Sequence, residues 1–156
     1  MLSRRAFLRG QTQNHNPMAP PWSGDDFTDL CTRCDACIEA CPEGVLLRGD
    51  GGFPWLDFSH AGCSLCGDCA RVCPQPVFDL SRPALDRVAR IGDQCLAQAE
   101  IHCRSCEDGC EARAIRFSLQ RGAPPLPDID EDACTGCGGC LPACANGALT
   151  LEPRHG

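Results

Sequence analysis

Apolar residues along this 156-residue chain come in short bursts rather than long runs. Val45-Leu46-Leu47 and Phe53-Pro54-Trp55-Leu56 flank Arg48-Gly49-Asp50-Gly51-Gly52. Apolar clusters on either side of a glycine turn predict two short strands. Ile115, Phe117 and Leu119 alternate with Ala114, Arg116 and Ser118, the period of a strand with one buried face. Pro124-Pro125-Leu126-Pro127 then predicts a turn, and Ala148-Leu149-Thr150-Leu151 a last strand. Leu85, Val88 and Ile91 form a short amphipathic segment inside the cysteine-free stretch 81–92, which reads as a connector. No run approaches the ~18 apolar residues of a membrane span. With two Trp, six Phe and no Tyr, no large core is expected. Modules below about 80 residues then need staples such as metals or disulfides.

The cysteines supply those staples. There are sixteen, arranged in runs. Cys31, Cys34, Cys37 and Cys41-Pro42 follow C-x2-C-x2-C-x3-C-P, the spacing that wraps thiolates around a [4Fe–4S] cube. Cys63, Cys66, Cys69 and Cys73-Pro74 repeat it, and Cys134, Cys137, Cys140 and Cys144 repeat it without the proline. A third, irregular run comprises Cys95, Cys103, Cys106 and Cys110. A unit of two runs is thus duplicated. Secreted disulfides are not expected, because no apolar export segment stands at the N-terminus. Zinc is disfavoured, because its sites pair two separated C-x2-C elements around one tetrahedron.

In two-cluster ferredoxins the fourth cysteine of each run ligates the other cluster. A tight C-x2-C-x2-C loop covers three corners of a cube, while the fourth cysteine opens the next helix and points away. Applied here, Cys31, Cys34, Cys37 and Cys73 hold one cluster, and Cys63, Cys66, Cys69 and Cys41 a second. Cys134, Cys137, Cys140 and Cys110 hold a third, and Cys95, Cys103, Cys106 and Cys144 a fourth. The seven-residue gap after Cys95 makes that site the least regular, so four clusters are expected and three are the minimum. His102 could replace a ligand there, but four cysteines leave it a surface residue. Gly67 and Gly138 follow the second cysteine of their runs, where the backbone is expected to approach the sulfurs too closely for a Cβ.

The expected fold is therefore α+β: two small bacterial-type 2[4Fe–4S] ferredoxin-like modules in tandem, a pseudo-repeat stabilised by its clusters. Residues 1–27 read as a basic arm and linker, 28–80 as module one, 81–92 as connector and 93–153 as module two. Ser3-Arg4-Arg5-Ala6-Phe7-Leu8-Arg9 has the form of a twin-arginine export signal. The polar, proline-containing stretch after Arg9 cannot serve as its apolar segment, so a cytoplasmic protein is expected. The residues leave open whether the arm is a plain linker or a docking element.

The formal charge is −7, and each oxidised cluster with four thiolates adds roughly −2. That excludes a nucleic-acid partner, which needs a basic face, and favours a partner with a basic docking surface. No G-x-G-x-x-G after a strand, P-loop or catalytic Cys–His signature is present. The chain is read as an electron carrier with no small-molecule substrate and no enzymatic site of its own.

Pro20-Pro21-Trp22-Ser23-Gly24, Cys31-Thr32-Arg33-Cys34-Asp35-Ala36-Cys37, Gly92-Asp93-Gln94-Cys95-Leu96 and Cys103-Arg104-Ser105-Cys106 carry a family likeness. Together they resemble the NapF family, the ferredoxin-type proteins of the periplasmic nitrate reductase system. The resemblance implies a cytoplasmic protein with several [4Fe–4S] clusters. It also implies that the protein meets the catalytic subunit NapA before export and assists its maturation, by supplying electrons or helping to assemble an iron–sulfur centre. The alternative is an electron-transfer subunit of an anaerobic oxidoreductase.

Overall fold

A computed structural model describes residues 18–154; the expectation for Ser3-Arg4-Arg5 lies outside them. Among the described residues the helices are single turns: α1 Phe27–Leu30, α2 Ala36–Glu39, α3 Asp68–Val72, α4 Ser105–Asp108 and α5 Cys140–Ala143. Such lengths cannot hold themselves helical in water. The turns α2 to α5 each carry the third cysteine of a run, and α1 ends at Cys31, the first cysteine of the chain. The strands form three two-stranded antiparallel sheets among the described residues.

In the first half, β1 (Leu46–Arg48) pairs with β2 (Pro54–Leu56) around a 3₁₀ turn at Asp50–Gly52, as the glycine pattern predicts. Gly51 and Gly52 have φ of +71° and +79°, so the glycine-rich loop is a turn. The lead-in before α1 is stitched to this half. Leu56 N–H donates to the Met18 carbonyl at 2.8 Å, and Trp22 N–H to Ala84 at 2.8 Å. Phe27 then stacks edge-on against Phe53 and Trp55 at 5.9 and 5.5 Å. The core gathers Val45, Leu46, Leu56, Phe58 and Leu85 around Cys37 and Cys69.

In the second half, β4 (Ile115–Gln120) pairs with β5 (Ala123–Ile129), and β3 (Arg87–Ile91) pairs with β6 (Leu149–Pro153). Two expectations change here. Pro124, Pro125 and Pro127 lie inside β5, and the chain turns earlier, at Arg121-Gly122, with Gly122 at φ +74°. In a two-stranded sheet every strand is an edge, and an edge tolerates residues with no N–H to give. The stretch 81–92, read as connector, carries β3. Val88 is fully buried and Ile91 stands opposite Leu149, so its amphipathic spacing belongs to a strand that docks on the last strand of the chain. Ala89, Ile115, Cys140 and Leu149 form the second core. Leu141 and Leu151 pack against both cores and join the halves. Among the described residues no helix is long and apolar enough to cross a membrane.

Candidate metal centres

Each regular run places its cysteines by a repeated backbone device. The residue before the second cysteine is left-handed in all three: Arg33 at φ 58°, Leu65 at 55° and Gly136 at 70°. So is the residue after it: Asp35 at 64°, Gly67 at 78° and Gly138 at 77°. Positive φ is uncommon for a side chain such as Leu65, and strain of this kind persists where a loop must hold a particular curl. The curl turns backbone amides onto sulfur. Arg33 N–H donates to Cys31 Sγ and Leu65 N–H to Cys63 Sγ, both at 3.4 Å. Asp35 holds its place by an ion pair with Arg48 on β1, and Arg33 lies over the Phe53 ring at 5.1 Å.

The third cysteine of each run sits in the first turn of α2, α3, α4 or α5. The fourth does not open a helix, as the sequence reading has it, but follows the end of one. Cys73 and Cys144 are the C-caps of α3 and α5, and Cys41 and Cys110 come one residue past the caps of α2 and α4. Pro42 and Pro74 accordingly stand just after a helix end, where a residue without an N–H stops further winding. The single helical turn separates the fourth sulfur from the first three.

The irregular run reaches the same layout by a different path. Arg104 takes φ −136° where the other runs are left-handed. The seven residues after Cys95 form a tied loop: Ala99 N–H donates to the Cys95 carbonyl at 3.1 Å and Ile101 N–H to Leu96 at 2.9 Å, with Ala97 buried. That folds Cys95 back beside Cys103 and Cys106. His102 is exposed.

Four voids result. Cys31, Cys34, Cys37 and Cys73 line one, walled by Phe27, Pro54 and Val77. Cys41, Cys63, Cys66 and Cys69 line a second, with Pro21, Trp22 and Leu56. Cys110, Cys134, Cys137 and Cys140 line a third, with Ala89 and Ile115. Cys95, Cys103, Cys106 and Cys144 line a fourth, larger one, with Leu96, Phe117 and Pro127. Further amides point at sulfurs: Ala114 to Cys110 and Ala148 to Cys144 at 3.3 Å, and Ala89 of β3 to Cys134 at 3.5 Å.

The electrostatics follow the same grouping. Burial pushes the Cys37 thiol up to about 11, and negative charge on Cys31, Cys73 and Cys34 adds to it. Burial pushes Cys69 up to about 12, helped by Cys63, Cys37 and Cys41. Burial again leads for Cys140, up to about 12 with Cys137, Cys110 and Cys134 beside it, and for Cys106, up to about 11 with Cys95, Cys103 and Cys144. Thiolates crowded into apolar walls repel one another, and bound cations reverse that balance. The sulfurs surround a space rather than converging on a point. Among the described residues no three His, Cys, Asp or Glu side chains close on a single ion. A thiol-only donor set, an apolar wall and inward amides fit a cube of iron and sulfide.

Several contributors carry no local signal in the sequence: Phe58, the aromatic walls Phe27 and Phe117, and the Ala89 amide, which arrives from a strand 45 residues before Cys134. Gly67 and Gly138 do not make room for sulfur, as the sequence pattern suggests. A Cβ on Gly138 would meet the Phe58 ring at 2.5 Å, and one on Gly67 the Arg71 guanidinium at 3.3 Å. The constraint is left-handed backbone and, at Gly138, an aromatic ring, not sulfur.

The chain matches the family described as 4Fe-4S dicluster domain twice, over residues 30–77 and 101–148. Cys95 lies outside the second match. Among curated proteins it is similar to the ferredoxin-type protein NapF of Escherichia coli (strain K12), 42% identical over 98% of this chain and 96% of that protein. It is similar also to the NapF of Haemophilus influenzae, 40% identical over 97% of this chain and 94% of that one. The ferredoxin-type protein NapG of E. coli is 32% identical over 76% of this chain and 61% of its own length. No solved structure matches.

Proposed function

Since the chain belongs to the NapF family of ferredoxin-type proteins, we propose that it is a cytoplasmic iron–sulfur electron carrier that assists maturation of NapA before export. The observation that carries this reading is the partition of all sixteen cysteines into four voids, each lined by one complete foursome. Cys31, Cys34, Cys37 and Cys73 hold one [4Fe–4S] cluster, and Cys41, Cys63, Cys66 and Cys69 the next. Cys110, Cys134, Cys137 and Cys140 hold the third, and Cys95, Cys103, Cys106 and Cys144 the fourth. When bound, each cluster supplies one-electron transfer.

The protein's own residues do the rest. The Arg33, Leu65, Ala89, Ala114 and Ala148 amides donate toward thiolate charge, an outer set of contacts that tunes such centres. Phe27, Trp22 and Phe117 wall the voids from water. The strand β3 belongs to the second module, which then begins near residue 87 rather than 93. The chain carries electrons and has no substrate site of its own. Its negative charge, −7 before any cluster is added, suits a partner with a basic face.

The test is a pull-down of the anaerobically purified chain against precursor and mature NapA in cytoplasmic extract, with iron quantified in the same sample. Capture of the precursor in preference to the mature form is expected. Recovery only in a stable complex with a quinol oxidase or dehydrogenase would replace the maturation role with that of an electron-transfer subunit.

A further inference from the structure

The two modules touch through the cysteine loops themselves. Cys63 N–H donates to the carbonyl of Cys137 at 2.7 Å, across 74 residues of sequence. The residue before Cys63 is Gly62, and a Cβ there would stand 2.6 Å from both the Cα and the N of Gly139. The residue after Cys137 is Gly138, and the Phe58 ring of the first module lies where its Cβ would be, at 2.5 Å. Two backbones this close need glycine on each side. Leu141, one residue after Cys140, packs into the core that contains Cys69.

We propose that this junction is the electron path between the modules, and that it makes the tandem a single conductor with two ends. Resting on the four-site reading above, the path joins two ligands of different clusters. It leaves the Cys63 sulfur through that residue's Cβ, Cα and amide, crosses one hydrogen bond into the Cys137 carbonyl, and follows that residue's side chain to its sulfur. One electron lost by a reduced site on one side is gained by an oxidised site on the other. No proton moves, no bond forms or breaks, and an external one-electron donor supplies the charge. Within each module the paired helices α2–α3 and α4–α5 pack on each other. The order is therefore the Cys31 set, the Cys63 set, the Cys137 set and the Cys95 set. The inner two face each other, and the outer two are the entry and exit. Gly62, Gly138 and Gly139 are positioning residues for this path.

The experiment uses the full chain, loaded with iron and sulfide and reduced with less than one electron per molecule by a photoreductant. Redistribution of the electron is followed by rapid-freeze EPR. In the wild-type chain the electron is expected to settle in one kinetic phase. In Gly62→Val the backbones are forced apart beyond hydrogen-bond range, and a second phase on the order of tenfold slower is expected with iron content unchanged. Two well-separated phases in the wild-type chain would overturn the proposal, whether or not the variant folds. So would a Gly62→Val protein that keeps the wild-type rate.

Hydrogen exchange of the Cys63 amide tests the junction apart from the clusters. Strong protection is expected in the wild type and lost in Gly62→Val, and free exchange in the wild type would overturn the junction. The two readings fail separately. Iron well below sixteen atoms per chain counts against the four-site reading, whereas full iron with slow or two-phase exchange counts against the junction alone.

Discussion

Gly138→Ala isolates what one backbone position does for one metal centre. Gly138 is buried, has φ +77°, and a Cβ there would sit 2.5 Å from Phe58 Cγ and 2.7 Å from both Cδ atoms. The substitution therefore carries two costs. Left-handed backbone costs an L-residue about 1–2 kcal/mol. Forcing a buried ring aside costs about 1–3 kcal/mol more, because Phe58 is itself in the first module's core. Gly147 is the control: its φ is +61°, but nothing lies within 4 Å of its Cβ position, so Gly147→Ala carries only the first cost. At this chain length each kcal/mol moves the thermal midpoint by about 2–4 °C. Losses of about 5 °C for Gly147→Ala and about 10 °C for Gly138→Ala are expected, read by loss of cluster absorbance on heating under anaerobic conditions. Phe58→Leu relieves the clash, so the double variant should be more stable than the two single costs added together. Equal midpoints for the two glycine variants would refute the steric role given to Phe58.

Two further outcomes follow from the site geometry. Cys41→Ser should remove the cluster held with Cys63, Cys66 and Cys69, seen as loss of about four iron atoms per chain; loss confined to the Cys31, Cys34 and Cys37 site in site-resolved spectra would refute the crossed assignment. Asp35→Gly should be close to neutral in thermal unfolding. It relieves backbone at φ 64° and gives up an ion pair to a half-exposed Arg48 worth about 0–1 kcal/mol. Asp35→Ala loses the pair and keeps the strain, and should fall about 1–2 kcal/mol below the glycine variant.

The cysteine spacing was legible because a C-x2-C-x2-C loop is a local device whose geometry travels with the motif. The β1–β2 hairpin was legible for the same reason: its turn glycines and both strands lie within eleven residues, 46–56. What was not legible is non-local. Val88 and Ile91 find their partner strand about sixty residues later, at Leu149–Pro153, so spacing alone could not say that they form a strand. The prolines of β5 read as a turn because nothing nearby marks that strand as an edge. Arg33, Leu65 and Asp35 hide the left-handed loop that Gly136, Gly67 and Gly138 advertise, since the cysteine frame forces ordinary side chains into it. The contact between Gly62 and Gly139 joins positions far apart in the chain, and no pattern within either run announces it. The fourth cysteine's place after a helix, rather than before one, follows from helices of four or five residues that end before the run does.

We propose that every cysteine of this chain serves one of four cube-shaped sites. Iron and acid-labile sulfide, quantified in the anaerobically prepared protein, decide whether it does. Roughly sixteen of each per chain are expected, four per cluster. A value near eight would contradict the four-site account, and one near twelve, with the loss assigned to Cys95, Cys103, Cys106 and Cys144, would contradict the reading of the irregular run as a complete centre.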